Sequence, residues 1–122
     1  MPQNFKLKIA TLNVKGLNDR GKQQKTLTLL KTYRLSIVML QKTNLNNKKM
    51  QTFLKQQWTY NSIWTKKTAI LAGNKDIEFK NTQINQEGRT ITTDFIYKSY
   101  SFRITNVYTP LNISDRISFF NN

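Results

Sequence analysis

The chain contains no cysteine and no histidine. The first absence excludes a disulfide framework and any thiolate metal site. The second removes the commonest general base and one common metal ligand. Acidic residues are also scarce, with six Asp and Glu against 20 Lys and Arg and a net charge of +14. Those six are Asp19, Asp76, Glu78, Glu87, Asp94 and Asp115. They are spread along the sequence and form no clustered pair for two-carboxylate acid–base work. The glycines, Gly16, Gly21, Gly73 and Gly88, are scattered, so there is no glycine-rich phosphate loop. No apolar run approaches transmembrane length, and residues 1–9 are polar and basic, unlike a signal-peptide core. The chain therefore reads as soluble and intracellular, with no membrane partner.

What is present suits a single domain over residues 1–122 with a modest core, since 38% of residues are hydrophobic. The positive charge speaks to partners rather than to fold. It favours a polyanion, nucleic acid first among them. Biased composition, with lysines on a solvated face, accounts for the same count.

Hydrophobic spacing gives an outline. Leu7 and Ile9 alternate with Lys6 and Lys8, which predicts a strand over 5–14 with Asn13 at its carboxyl end. Gly16-Leu17-Asn18-Asp19 is turn chemistry. A helix over 21–34 follows, with Leu27, Leu30 and Tyr33 on its inner face. Residues 36–41 are a short continuous apolar run, the mark of a strand covered on both faces. Strand, helix, strand predicts a right-handed crossover and two parallel strands. Met50, Phe53, Leu54 and Trp58 suggest a second short helix. Beyond it, Thr68 to Ala72 reads as a strand, Ile77 and Phe79 alternate with Asp76 and Glu78 as on a strand, Asn85 to Gly88 reads as a turn, and Ile91, Thr93, Phe95 and Tyr97 as one face of the next strand. Lys98-Ser99 turns the chain, and Phe102, Ile104, Asn106 and Tyr108 share a face of the last strand. This is a βαβ unit with an antiparallel meander, a mixed α/β class. After Pro110, Ser114 suits a helix cap and Ile117, Phe119 and Phe120 begin an apolar face. The simplest account of the end at Asn122 is a reading frame that stops as a helix begins; a short docking helix is the alternative.

Four segments, in this order and spacing, carry a resemblance. They are Thr11-Leu12-Asn13-Val14-Lys15-Gly16-Leu17; Ser36-Ile37-Val38-Met39-Leu40-Gln41 running into Lys42-Thr43-Asn44-Leu45; Glu87-Gly88-Arg89 leading a strand; and Asn106-Val107-Tyr108-Thr109-Pro110 with Arg116 and Phe119-Phe120 after it. Together they resemble the N-terminal half of an endonuclease/exonuclease/phosphatase (DNase I-like) domain, as in apurinic/apyrimidinic endonucleases and above all the endonucleases of LINE-type retrotransposons. The resemblance implies half of a four-layer α/β sandwich, a DNA substrate and metal-dependent nicking with magnesium. It implies that Asn13 helps order the metal and phosphate region, and that the Tyr108 hydroxyl lies near the scissile phosphate. Read as residues alone, Asn13 equally suits a strand-end cap and Tyr108 a core aromatic.

One departure decides the chemistry. The family's second segment reads Gln-Glu-Thr-x-Leu, and its Glu holds the metal. Here that position is Lys42. At 4 Å a unit charge pair is worth about 4 kcal/mol at an effective dielectric of 20, so a lysine facing a divalent ion repels it by roughly twice that. A smaller departure is Thr68, where the family commonly has Gly; it reads as relaxed constraint. The family's Asp-x-Asn and Asp-His motifs have no counterpart in these residues. No metal position is intact, and no cofactor is expected. Candidate nucleic-acid contacts are Lys15, Arg20, Lys22, Lys25, Lys66, Lys67 and Arg89. Trp58, Tyr60 and Trp64, interleaved with lysines, suit either base stacking or cover of a sheet.

The leading expectation is a truncated, inactive fragment of a retrotransposon-type DNA endonuclease, with Ile9, Phe102 and Ile104 exposed. The first alternative is a non-catalytic, basic nucleic-acid-binding protein. The second is an interaction module that uses a bare sheet face for a partner or for its own oligomer.

Overall fold

The computed structural model describes residues 6–109. The expected strand start at Phe5 and the apolar helix after Ser114 lie outside the described residues, as do Pro110, Arg116 and the Phe119–Phe120 pair. Nine elements form two sheets and two helices among the described residues: β1 (Ile9–Asn13), α1 (Arg20–Thr32), β2 (Ile37–Gln41), α2 (Lys48–Gln57), β3 (Ser62–Trp64), β4 (Thr68–Ala72), β5 (Lys80–Ile84), β6 (Thr90–Tyr97) and β7 (Tyr100–Val107). The first sheet has the order β1-β2-β4-β3, and the second is the meander β5-β6-β7. β1 and β2 are parallel, with Asn13 opposite Gln41. The parallel pairing is the one that the strand–helix–strand order predicts. β4 returns antiparallel to β2, with Thr68 opposite Gln41.

The apolar runs of β2 and β4 are central because each has two faces to bury. Val38, Leu40, Ala69 and Leu71 pack with Leu27, Leu30, Leu54 and Trp58 on the helical side. Ile37, Ile70 and Ala72 point the other way, into a second core with Ile91 and Phe95 of the meander. Alternate residues of one strand thus serve two cores, which explains an unbroken apolar run where alternation is the usual signal. Each fully buried Leu or Ile contributes about 1.5–3 kcal/mol of transfer free energy. The described layers are helices, mixed sheet and antiparallel sheet, a partial α/β sandwich of the expected class.

Several particulars differ from the sequence reading. β1 starts at Ile9, not near Phe5. α1 begins at Arg20, capped by the Asp19 carboxylate, which accepts from the Lys22 amide at 2.8 Å. Tyr33 is 61% exposed, not on the inner face. The helix has already ended there, and the chain turns left-handed at Arg34 (φ 50°). Strand β3 was not anticipated, and the strand expected from the alternation of Ile77 and Phe79 with Asp76 and Glu78 is irregular chain, with β5 starting only at Lys80. β5 is exposed at every residue, so burial wrote no alternation into it. Phe102 and Ile104 are half-buried, against the expected exposure, because the meander forms its own core and Phe102 stacks on Phe95 at 5.3 Å. Ile9 is exposed, as expected, along with Leu12 and Val107.

Two polar ties fix one sheet on the other. Asn106 of β7 is buried, and its Nδ2 donates to the carbonyls of Leu40 (2.9 Å) and Ala69 (2.8 Å) across the sandwich. Its Oδ1 accepts from Gln41 Nε2 at 2.7 Å. Beside it, the hydroxyls of Thr65 and Thr68 converge on the Gly88 carbonyl at 2.6 and 2.8 Å. Thr68 is therefore a tie between sheets, not a mark of relaxed constraint. At the other end of β4, a Cβ on Gly73 would meet the Leu35 carbonyl, so only glycine fits that approach.

On the outer face of the meander, Arg103 grips Asp94 with two bonds, of 2.7 and 3.1 Å, and Asn81 donates a third at 3.1 Å. The Arg103 bonds first, and the Asn81 amide second, lower the Asp94 carboxyl from its ordinary 3.8 to about 2. A depressed carboxylate stabilises the fold above its unfolded value, and that contribution is lost as pH falls through the folded one. The Asp94 side-chain carbon resonance should accordingly titrate with a midpoint of about 2 in wild type and clearly higher in Arg103→Gln, where only the Asn81 bond still holds it down. Replacing Asn106 by alanine removes the side-chain donor to the carbonyls of Leu40 and Ala69 and one of the partners of the Gln41 amide. Urea unfolding should show a loss of about 3 kcal/mol, against less than about 1 for the exposed neighbour Thr105→Ala.

Candidate nucleic-acid interface at the strand ends

Parallel β1 and β2 end together, antiparallel β4 begins beside them, and the Asn106 tie brings the start of β6 and the end of β7 to the same edge. One end of the sandwich thereby collects residues far apart in sequence. Open α/β sheets place their sites at the carboxyl ends of parallel strands.

The loops there are held by their backbones. Val14, Gly16 and Leu17 amides donate to the carbonyls of Gln41 (3.0 Å), Lys42 (2.6 Å) and Thr43 (2.8 Å). Thr43 and Leu45 amides donate in turn to Lys67 (3.0 Å) and Lys66 (2.8 Å). This zipper bends the chain sharply. Lys15, Lys42 and Asn44 adopt left-handed φ of 53°, 59° and 52°, and Gly16 one of 89°. A non-glycine residue in that region costs of order 1 kcal/mol, and such residues cluster at functional sites.

Of the residues singled out from sequence, the fold gathers most. Asn13 is exposed at the end of β1, and its Oδ1 accepts from the Lys15 amide at 3.1 Å. That is the strand-end cap its residue type suggested, and it leaves the side-chain amide at the rim. Lys22 reaches back from α1 so that its Nζ meets the Lys15 carbonyl at 3.1 Å. Lys42 sits directly after Gln41, half-buried, and no ion pair holds it among the described residues. Lys67 places its Nζ 3.3 Å from Asn44 Oδ1. Lys66 is exposed in the same turn. The Arg89 guanidinium lies over the Tyr108 ring at 5.1 Å, and its Nε is paired with Glu87 at 3.1 Å. The Tyr108 amide donates to the Arg89 carbonyl at 2.8 Å, which keeps the two residues side by side. Arg89 Nη1 is buried and has no hydrogen-bond partner among the described residues.

Two candidates are placed elsewhere. Arg20 turns toward α2 and stacks 4.3 Å over Phe53. Lys25 is exposed a turn beyond Lys22, away from the strand ends. The two tryptophans are structural: Trp58 Nε1 donates to the Ala72 carbonyl and Trp64 Nε1 to the Ser62 hydroxyl. Sequence reasoning missed Gln41 and Asn44 as organisers of the site. Gln41 Nε2 joins Thr11 Oγ1 (2.6 Å) to Asn106 Oδ1. The available signal was a polar residue, Asn106, at an inward position of a strand; such a residue needs buried partners.

The donor set does not fit a divalent cation. Magnesium takes hard oxygen ligands, above all carboxylates. Asn13 Oδ1 already accepts a backbone amide, Glu87 is paired with Arg89, and the position beside Gln41 carries an ammonium group. No cluster of three acidic or other metal-binding side chains occurs among the described residues. What the arrangement offers is positive charge, a phenol and two amides, the groups that hold phosphate oxygens. No helix among the described residues is long and apolar enough to cross a membrane.

No family model matches the chain. No curated protein matches it either. Solved structures do. A TDP2 from D. rerio complexed with a single-strand DNA product superposes with a TM-score of 0.69 at 18% identity, covering 94% of this chain and 51% of that one. TDP2 from Caenorhabditis elegans gives 0.70 at 15%, covering 96% and 40%. An AP endonuclease from Archaeoglobus fulgidus gives 0.67 at 22%, covering 86% and 42%. The chain thus spans about half the length of the solved structures it matches, and its fold is that of the endonuclease/exonuclease/phosphatase, DNase I-like proteins.

Proposed function

We propose that this chain is a half-domain of a retrotransposon-type DNA endonuclease fold in which metal-dependent nicking is lost and affinity for nucleic-acid phosphate is kept. The observation that carries the reading is Lys42 at the end of β2, among Lys15, Lys22, Lys67 and Arg89, with no acidic cluster among the described residues. A lysine facing a divalent ion at about 4 Å opposes it by roughly 8 kcal/mol at an effective dielectric of 20. The same charge attracts a phosphate. Neighbours of the fold include an AP endonuclease and a TDP2 holding a single-strand DNA product, which supports DNA as the polyanion here. Asn13 and Tyr108 then serve as neutral hydrogen-bonding groups for phosphate oxygens, and Arg89 positions Tyr108.

A second reading has one specific observation behind it. β1 and β7 are edge strands, and Ile9, Leu12 and Val107 on them are exposed, which suits pairing with a partner chain or a second copy. A concentration-dependent shift in size-exclusion elution that persists at high salt is its signature.

Two experiments test the leading reading. Supercoiled plasmid should stay intact with wild-type protein and magnesium, while Lys42→Glu should take up magnesium measurably more tightly in calorimetry. Wild-type nicking that a chelator abolishes would overturn the loss of cleavage. Duplex DNA should bind with a dissociation constant of about 10⁻⁴ to 10⁻⁶ M, falling steeply with salt. Lys67→Ala should lower the log–log salt slope by about one, as for a single lost phosphate contact, and Lys55→Ala on the far helix should not. An unchanged slope in Lys67→Ala would remove the strand-end site from the binding surface.

A further inference from the structure

The opposite end of the sandwich holds a cavity of about 490 Å³, where β2 begins and β4 ends. Its walls include Lys31 and Arg34 at the end of α1, Ser36 before β2, Tyr60 before β3, and Tyr97 at the end of β6. No acidic side chain lines it. Its size falls within the roughly 300–1,000 Å³ of ordinary ligand pockets. Five residues of β2, at about 3.3 Å each, separate it from the strand-end site.

Three features point to the ligand. Within the wall, Lys31 Nζ lies 5.8 Å over the Trp58 ring, so a cation is already set beside an aromatic face; Lys98, outside the lining, places its Nζ 5.6 Å over the Tyr97 ring. Tyr60 is 37% exposed, an open ring at the mouth. Arg34 holds a left-handed φ of 50° just past the helix, where glycine would sit without strain, and makes no ion pair among the described residues. The carboxyl end of α1 contributes about half a negative charge. The full charges of Lys31 and Arg34 outweigh it. Asp76 is the nearest acidic residue in sequence to the rim residue Asn74, whose Oδ1 it engages through its own amide at 2.9 Å, and its carboxylate is not part of the wall.

We propose that this cavity is a second site, for a nucleoside phosphate: the base stacks on Tyr60 and the phosphate meets Arg34 and Lys31. Aromatic stacking beside cations is how proteins hold single-stranded nucleic acid without regard to sequence. The site stands independently of the strand-end reading, because its residues and its end of the sheet are different. Free nucleotide and a nucleic-acid strand share this chemistry, and length separates them.

The test titrates the chain with adenosine monophosphate and with a short single-stranded thymidine oligonucleotide, following backbone amide resonances over residues 31–36 and 58–60. Shifts confined to that cluster with the mononucleotide assign a free nucleotide, and shifts with the oligonucleotide alone assign a strand. Arg34→Glu and Tyr60→Ala should each weaken binding about tenfold, a loss typical of one stacked base or phosphate contact. Lys48→Glu, the same charge change on the outer helix, should leave it unchanged. Circular dichroism checks that the variants fold, and Tyr60→Phe should retain affinity because the ring is kept. The proposal fails if neither ligand moves these resonances. It fails equally if Arg34→Glu binds like wild type, or if polyglutamate displaces the nucleotide as well as unlabelled nucleotide does.

Discussion

The site depends on one side-chain amide. Asn106 is buried between two sheets that share no backbone ladder, and it bonds to carbonyls of two neighbouring strands and to the side chain of a third residue. An unsatisfied polar group in that position costs about 1–3 kcal/mol. The geometry that satisfies it therefore fixes how the meander sits on the mixed sheet. Hydrophobic contacts between Ile70 and Phe95 would tolerate sliding, because apolar attraction has no direction. The amide does not. Through it and the Thr65–Thr68–Gly88 tie, Arg89 and Tyr108 are brought to the ends of β1 and β2, beside the lysines that the backbone zipper already holds there.

The legible parts of the sequence were those where burial writes a pattern. β2 and β4 were readable because both faces are covered and the residues are apolar throughout. β6 was readable because Ile91, Thr93 and Phe95 alternate with half-exposed positions. β5 was not, since no face of it is buried. β3 is only three residues long, too short for a period to register. Tyr33 was misplaced because helical spacing cannot say where a helix stops; the end was set by a left-handed turn at Arg34, a residue with no sequence signature for it. At the site, the grouping of Asn13, Lys42, Arg89 and Tyr108 came from resemblance, not from spacing. The roles of Gln41 and Asn106 needed coordinates, because each is defined by a partner 30 or 65 residues away.

Lys42 is informative because its backbone is constrained while its head group is not. The left-handed turn at φ 59°, with the carbonyl held by the Gly16 amide, fixes where its side chain leaves the chain. The long stem can still swing, but it cannot supply an oxygen ligand. Substitution at such a position changes the sign of the local field without disturbing the fold around it. On the proposed reading the scaffold keeps its phosphate contacts without a metal centre, which is possible because function resides in a site rather than in an architecture.

Charge and fold are connected in a second way. Among the described residues there are only two ion pairs, Arg89–Glu87 and Arg103–Asp94, against a net charge of +14 for the chain. Most cations thus face one another across solvent. That repulsion keeps the molecule dispersed and works against its compact state. The apolar cores must outweigh it, and they are small. A polyanion seated on the strand ends would relieve the repulsion among Lys15, Lys22, Lys42 and Lys67, which neighbouring loops carry there. Whatever binds the folded form in preference to the unfolded one also stabilises it. Binding of such a polyanion would therefore be coupled to the stability of the fold, and the same screening by salt that weakens the contact would also lessen the repulsion it relieves.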